Sequence, residues 1–317
     1  MTPDSSLERI LKSSSKAILL GIGGGGDIVG TLPTAGLLRA FGVECVHGGL
    51  SWERSVFDPV PGPRKFTETR NARKINDTVW WANKDTVTST GVRFAEAGFA
   101  EVFDTETLLV DVNRGPGAVA DGLRHAIDKI GADLIIGVDV GGDAVAFGSE
   151  NGLLSPLADS IMTAALTELE REFPTVMGVF GFGSDGELTQ EEVERSLNAI
   201  AKEGGILGSW GITRDTLREM ERAIEVVPTE ASRIPAECAR GLDGETTIRS
   251  GTRSVTLSFV STVTFYMSPG VVFEHISSTA RAVAPCKSLQ EAHEALHALG
   301  LRTELDIELD RLKKMRG

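Results

Sequence analysis

Three apolar runs in this chain end in glycines and a carboxylate: Lys16-Ala-Ile-Leu-Leu-Gly-Ile-Gly-Gly-Gly-Gly-Asp27, Leu134-Ile-Ile-Gly-Val-Asp139-Val-Gly-Gly-Asp143 and Val176-Met-Gly-Val-Phe-Gly-Phe-Gly-Ser-Asp185-Gly-Glu187. If the runs are parallel strands, their carboxylates gather along one edge of one sheet. An open α/β sheet binds ligands outside the carboxyl ends of its strands, where glycine lets a ligand approach the backbone.

Asp139 and Asp143 stand four residues apart across a Gly-Gly turn, with Glu150, Ser155 and Asp159 close behind. Such a set suits Mg²⁺, a hard cation held by one or two carboxylates, waters and substrate oxygens. In that reading Asp139 and Asp143 are metal ligands and catalytic groups that orient a metal-bound water or act as base. They suit hydrogen bonding to a polyol as well. Asp139 ends an apolar strand, so it is buried and needs partners. Ser155-Pro156 makes a good N-cap and N1 pair without any ligand. Asp185-Gly-Glu187 is more simply a turn leading into a helix.

Gly21-Ile-Gly23-Gly24-Gly25-Gly26 satisfies G-x-G-x-x-G in the required context of strand before and helix after. A dinucleotide fold also places an acidic residue at the tip of the second strand, about 20 positions on. Glu44 stands at the start of that strand, and His47 is expected at its tip. Asp27 would compete with phosphate for the loop amides. Three readings stay open: Asp27 caps the helix, the loop cradles a phosphate or nucleotide, or Asp27 recognises an amine, hydroxyl or metal.

Arg64-Lys65 through Arg70, Arg73 and Lys74 concentrate cations in a long irregular stretch, either to draw an anionic substrate or as a solvated face. Just before it, Trp52 could cover a planar ligand and Arg54 bind its charge. Trp80 and Trp81 read as core or interface. Arg114, after another strand, could bind an anion or pair with a carboxylate. His125, His293 and His297 fall on helices. The last two, at i and i+4, have neither a third ligand nearby nor the Glu of H-E-x-x-H, and read as surface residues.

The elements that must position these groups follow from hydrophobic period. Strands are expected over Ala17 to Ile22, Val43 to His47, Leu108 to Val112, Leu134 to Val140 and Val176 to Phe182. Helices are expected over Thr31 to Phe41, Gly117 to Gly131, Pro156 to Glu172 and Leu188 to Glu203. A capping box at Ser5 to Glu8 opens a first short helix. This alternation implies an α/β fold, a Rossmann-like three-layer sandwich with a mainly parallel sheet. Residues 1–205 form that core. Residues 206–317 form an extension, separate or part of the same domain, with a helix over Arg214 to Val226 and an antiparallel hairpin around Ser250-Gly251. Strand Val263 to Tyr266 follows, and helices Ser288 to Leu299 and Glu304 to Lys314 close the chain.

The 317 residues, 41% hydrophobic, suffice for such a core, and the net charge of −13 argues against a nucleic-acid or anionic-membrane surface. Three scattered cysteines, an N-terminus without an apolar leader and no run of about 20 apolar residues predict a cytoplasmic protein. A homo-oligomer is compatible with all of this.

Gly23-Gly-Gly-Gly-Asp27 with Gly30-Thr-Leu, Trp52-Glu-Arg54, and Asp139-Val-Gly-Gly-Asp143 with Gly148-Ser-Glu150 and Ser155-Pro-Leu-Ala-Asp159 together resemble a mostly archaeal and bacterial family of unknown function. The likeness covers nearly the whole chain and implies where the site lies, without chemistry. The expected ligand set is Gly23, Gly24, Gly25, Gly26, Asp27, His47, Trp52, Arg54, Arg114 and Glu150. The expected function is an enzyme acting on a small anionic metabolite or nucleotide, with Mg²⁺. A non-catalytic sensor, an NAD(P)-dependent oxidoreductase and a plain scaffold are the alternatives, and G-x-S-x-G is missing, which argues against an α/β-hydrolase.

Overall fold

In the computed structural model, which describes residues 6–249 and 251–316, the apolar runs become strands of one sheet. Its nine strands are β1 (Lys16–Gly21), β2 (Glu44–Leu50), β3 (Arg73–Lys74), β4 (Val79–Ala82), β5 (Thr107–Val110), β6 (Leu134–Val140), β7 (Thr175–Phe180), β8 (Ile206–Gly211) and β9 (Val263–Met267). They lie in the order β8-β9-β7-β6-β1-β2-β5-β4-β3. The strands β7, β6, β1, β2 and β5 are parallel. β4 and β3 at one edge and β9 and β8 at the other pair antiparallel.

The central strands are apolar throughout because helices cover both faces. Ala17 and Leu19 of β1 enter a core with helices Leu7–Lys12 and Leu32–Ala40, whereas Ile18 and Leu20 enter another with helices Gly115–Ile130 and Pro156–Leu169. Side chains alternate across a strand, so one run of six residues fills two cores. This is the three-layer α/β sandwich that the sequence predicts.

The expected helices form within a few residues of their predicted ends, and left-handed Gly42 and Gly131 follow two of them as C-terminal stops. Strands Gly244–Ile248 and Arg253–Leu257 pair antiparallel as the expected hairpin, in a sheet of their own. Beyond residue 205, β8 and β9 join the main sheet. β4 and β8 escape the hydrophobic reading because they are short and edge-proximal, and β8 is interrupted by Gly208. The capping-box reading rests on Ser5, which lies outside the described residues. Among those residues no helix is long and apolar enough to cross a membrane.

From β1 the chain steps outward through β2 to β5, then returns to the other side of β1 at β6 and continues to β7. The strand order therefore reverses between β1 and β6. The carboxyl ends of β1 and β6 flank that point, which in doubly wound sheets is the crevice where ligands bind.

Candidate functional site

Two glycine turns line the crevice. After β1, Gly24 and Gly25 take left-handed φ values of 81° and 57°. The Gly25 N–H donates to the Trp52 carbonyl at 2.9 Å, and the Gly23 N–H donates to Asp27 Oδ2 at 3.0 Å. Asp27 thus starts helix Asp27–Gly30 but folds back on its own loop instead of capping the helix. Two amides that a phosphate cradle would use are already engaged. A Cβ at Gly23 would stand 2.6 Å from Asp27 Oδ2 and 3.4 Å from both Asp159 oxygens, so glycine here admits two carboxylates to the backbone.

After β6, the Gly141-Gly142 turn delivers Asp143 beside Asp139. One oxygen each from Asp139, Asp143 and Asp159 lies within 4.8 Å of the others, and the same holds for Asp143, Asp185 and Glu187. Asp143 belongs to both sets, and all five side chains are buried. The tips of the parallel strands β6 and β7 and the first turn of helix Pro156–Leu169 supply them. The β7 tip is held in an uncommon shape, with Phe182 at φ 40° between left-handed Gly181 and Gly183. Strain of this kind in an aromatic residue collects at functional sites.

Charge in this crevice is poorly compensated. Asp139 accepts from the Ala144 N–H at 3.3 Å and shares a hydrogen bond with Asp143. Burial pushes the Asp139 carboxyl up to about 7. Burial first, then neighbouring carboxylates, pushes Asp143, Asp159 and Asp185 well above the ordinary range. Asp27 moves the same way through desolvation and the charge of Asp139. Asp159 is 2% exposed, and its Oδ1 has no hydrogen-bond partner. A buried carboxylate oxygen left without a donor is expensive unless a proton or a cation meets it.

Glu187 and the neighbouring Glu304 are satisfied by hydrogen bonds. Glu187 accepts from the N–H groups of Leu154 and Ser155 at 2.7 and 2.9 Å, from the Ser155 hydroxyl, and from Arg253 Nη1 at 3.0 Å. Ser155 stands at the N-cap position, as expected, but its hydroxyl serves Glu187 in place of the helix. Glu304 instead closes that helix end, accepting from the N–H groups of Leu157 and Ala158 at 2.9 and 2.8 Å. Burial raises Glu304 to about 8. Among the described residues Arg253 is the one basic side chain ion-paired with these groups, and it arrives on the hairpin. On the β2 side, Glu53 accepts from the Ala95 N–H at 2.6 Å, and buried Glu96 leaves Oε2 unpartnered.

The other expected ligand residues are placed as follows. Arg54 stands against Gly25, 3.6 Å from Glu230, with its side chain 26% exposed. Trp52 is buried in the core, and its indole N–H donates to Glu308 Oε1 at 2.9 Å. Glu150 turns onto the amides of Phe147, Gly148 and Ser149. Arg114 is exposed at the start of helix Gly115–Ile130, beside Asn76, Asp77 and His125. Within the basic stretch, Arg64 is buried in a 2.8 Å ion pair with Asp58.

Two expectations are overturned. His47 is not at a strand tip, because β2 runs on to Leu50. Its Nδ1 meets Thr31 Oγ1 at 3.0 Å, its ring lies on Phe99, and burial lowers it to about 4. His293 is not a surface residue. It is 8% exposed, and Asp306 joins it and His297 as the third potential ligand that sequence spacing concealed.

Arg253, Glu304, Glu53 and Glu96 were not singled out by sequence. Glu53 adjoins the flagged Trp52 and Arg54, but Arg253 and Glu304 come from more than 100 residues beyond Asp143 with no local pattern. The family model described as Protein of unknown function (DUF1152) matches residues 18–312. No curated protein and no solved structure matches the chain.

Proposed function

We propose, for a chain that belongs to the DUF1152 family of proteins of unknown function, that the crevice between β1 and β6 is the active site of a divalent-cation-dependent enzyme acting on a small anionic metabolite or nucleotide. The observation that carries this reading is the pair of buried three-carboxylate sets sharing Asp143, with Asp159 Oδ1 left unpartnered among them. Oxygen-only donors of this kind suit Mg²⁺ or Mn²⁺. A bound cation would supply charge neutralisation for an anionic substrate and would lower the pKa of a bound water.

The chain's own groups divide the remaining work. Asp143 is placed to serve both sets. Asp139, raised to about 7, is poised to hold or take a proton near neutral pH. Arg253 pairs with Glu187 and holds it in place, and Arg54 beside the glycine loop offers a cationic contact for the substrate. Without a cation this crevice would repel an anion, so substrate and metal are expected to bind together.

A dinucleotide oxidoreductase draws on the glycine spacing and the strand order. It fits less well, since Gly23 and Gly25 have spent their amides and the β2 tip, Gly48-Gly49-Leu50, carries no acid for a ribose.

The test is the thermal midpoint of the full chain against nucleotides and phosphorylated or carboxylated metabolites, each with and without Mg²⁺ or Mn²⁺, followed by product analysis of every stabilising pair. A ligand shift that needs the metal and vanishes in Asp143→Asn supports the assignment. Metal-independent shifts, or shifts that survive Asp143→Asn, overturn it. Tight metal-dependent binding without product would make the protein a sensor.

A further inference from the structure

A second set of metal-ligating side chains lies apart from the crevice, where helices Leu289–Ala298 and Glu304–Arg316 meet through a short turn. His293 and His297, one helical turn apart, bring their ring centroids to 4.0 Å. Asp306, in the first turn of the next helix, offers one oxygen to each imidazole. Oδ2 lies 2.8 Å from His297 Nε2, and Oδ1 lies 3.9 Å from His293 Nε2.

The second ring nitrogen of His293 has a partner of its own. Nδ1 lies 2.7 Å from Thr303 Oγ1, whose own hydroxyl is directed at Asp306 Oδ2, 3.5 Å away. With Nδ1 engaged by the threonine, His293 Nε2 is left to face Asp306, so three ligand atoms, one from each residue, lie within 4.8 Å of one another. A histidine whose far nitrogen is held by a hydroxyl or carbonyl is the usual outer arrangement of a metal ligand.

We infer that His293, His297 and Asp306 form a site for one borderline divalent transition ion, Zn²⁺ by preference. Two imidazoles and one carboxylate are a zinc donor set with a fourth position for water, whereas the all-oxygen crevice favours harder ions. His297, 43% exposed, gives the ion a route to solvent. The site joins the last two helices, and two residues before Asp306 stands Glu304, which holds the helix end that presents Asp159. Zinc here would fix the last helix against the crevice wall. The inference stands on these residues alone and does not need the crevice to be catalytic.

The test uses full-length protein stripped with a chelator and titrated with Zn²⁺ by calorimetry, with Co²⁺ as an optical probe of nitrogen ligation. The expected result is one Zn²⁺ per chain and Co²⁺ visible bands of low-coordinate type. Both should persist in Asp139→Asn/Asp143→Asn. Both should be lost in His297→Ala, whose half-exposed side chain can be removed without opening the core, and in Asp306→Asn. Thr303→Val should weaken Zn²⁺ by about tenfold, the usual cost of an outer-sphere partner. Circular dichroism and the metal-free midpoint establish that each variant is folded, and His297→Gln replaces any that is not. Unchanged Zn²⁺ affinity in folded His297→Ala or His297→Gln overturns the inference, as does Zn²⁺ binding abolished only by the crevice variants or absent from the wild type.

Discussion

The crevice at the strand tips and the corner between the last two helices both gather side chains able to hold a cation, and they do so by opposite means. In the crevice the donors are carboxylates alone, delivered by backbone turns at strand ends and one helix start, and burial first, then mutual repulsion, raises Asp139, Asp143, Asp159 and Asp185 above the ordinary carboxylate range. At the corner two imidazoles and one carboxylate meet across a helical turn and a tight loop, and Asp306 is lowered by its hydrogen bonds and neighbours even though partial burial opposes this. The crevice stores electrostatic conflict that a ligand can relieve, whereas the corner is comfortable without one. Relief of conflict is what makes binding informative about function, because acids tuned this far cluster where chemistry occurs.

The largest effect that could break this contrast comes from Asp143, the carboxylate common to both crevice sets. Asp143→Asn is expected to lower turnover of a substrate found by the ligand screen by about a hundredfold or more, the scale of a lost acid–base or metal-orienting group. It should also raise the thermal midpoint of the metal-free protein, since it removes a buried charge among like charges. His297→Ala should leave the metal-free midpoint nearly unchanged. An Asp143→Asn protein less stable than wild type without metal would mean that the carboxylates are ordinary structural pairs.

The pH dependence sharpens the same contrast. Asp139 titrates near its ordinary value of 3.8 when unfolded and at about 7 when folded, so between these values the native state binds the extra proton. Stability then falls as pH rises through that window, and the favourable contribution present below pH 3.8 is gone above about 7. The Glu53 shift to about 7 acts in the same direction. Chemical denaturation of metal-free protein at pH 5 and pH 8 should show the lower stability at pH 8, and Mg²⁺ or Mn²⁺ should narrow the gap. A metal-free stability that rises with pH across this range would remove the conflict on which the functional reading rests.

A smaller effect is expected where the crevice has solved its own problem. Arg253 reaches Glu187, whose side chain is 1% exposed, and removing one member of a buried pair costs about 3–5 kcal/mol because the other is left uncompensated. Arg253→Ala should therefore lower the denaturation midpoint clearly, and adding Glu187→Gln should restore much of the loss. A double variant no better than the single one would mean that Arg253 acts by packing the hairpin and not by holding a charge.

What sequence could see follows from the distance over which each group is determined. β6 is legible to the residue because it is apolar on both faces and ends in Gly-Gly, and Asp139, Asp143 and Asp159 travel with it as near neighbours in the chain. The β2 tip misleads because its Gly-Gly pair looks like a strand end. Those glycines are strand residues that admit neighbours, and a Cβ at Gly49 would fall 2.0 Å from Glu96 Oε1. Arg253 and Glu304 enter the site only through topology, so nothing local announces them. His293 and His297 showed their helical spacing, but their third partner sits across a turn that periodicity does not resolve.

Glu304 is where the two regions touch, and its replacement should give the smallest and most diagnostic effect. It accepts from two amides at the start of helix Pro156–Leu169, and the loss of a charged partner at a helix N-terminus costs about 1 kcal/mol. Glu304→Gln keeps one acceptor and should cost less than Glu304→Ala in the denaturation midpoint. Glu304 raises Asp159 when it is ionised, and burial raises Glu304 itself to about 8, so the change should let Asp159 ionise more readily above about pH 8. If the corner binds zinc and holds the last helix, zinc should reduce the penalty of Glu304→Ala, because the metal and the carboxylate share the task of keeping that helix in place. Penalties identical with and without zinc would show that the corner and the crevice are energetically independent, for sites more than 7–10 Å apart with no shared partner simply add.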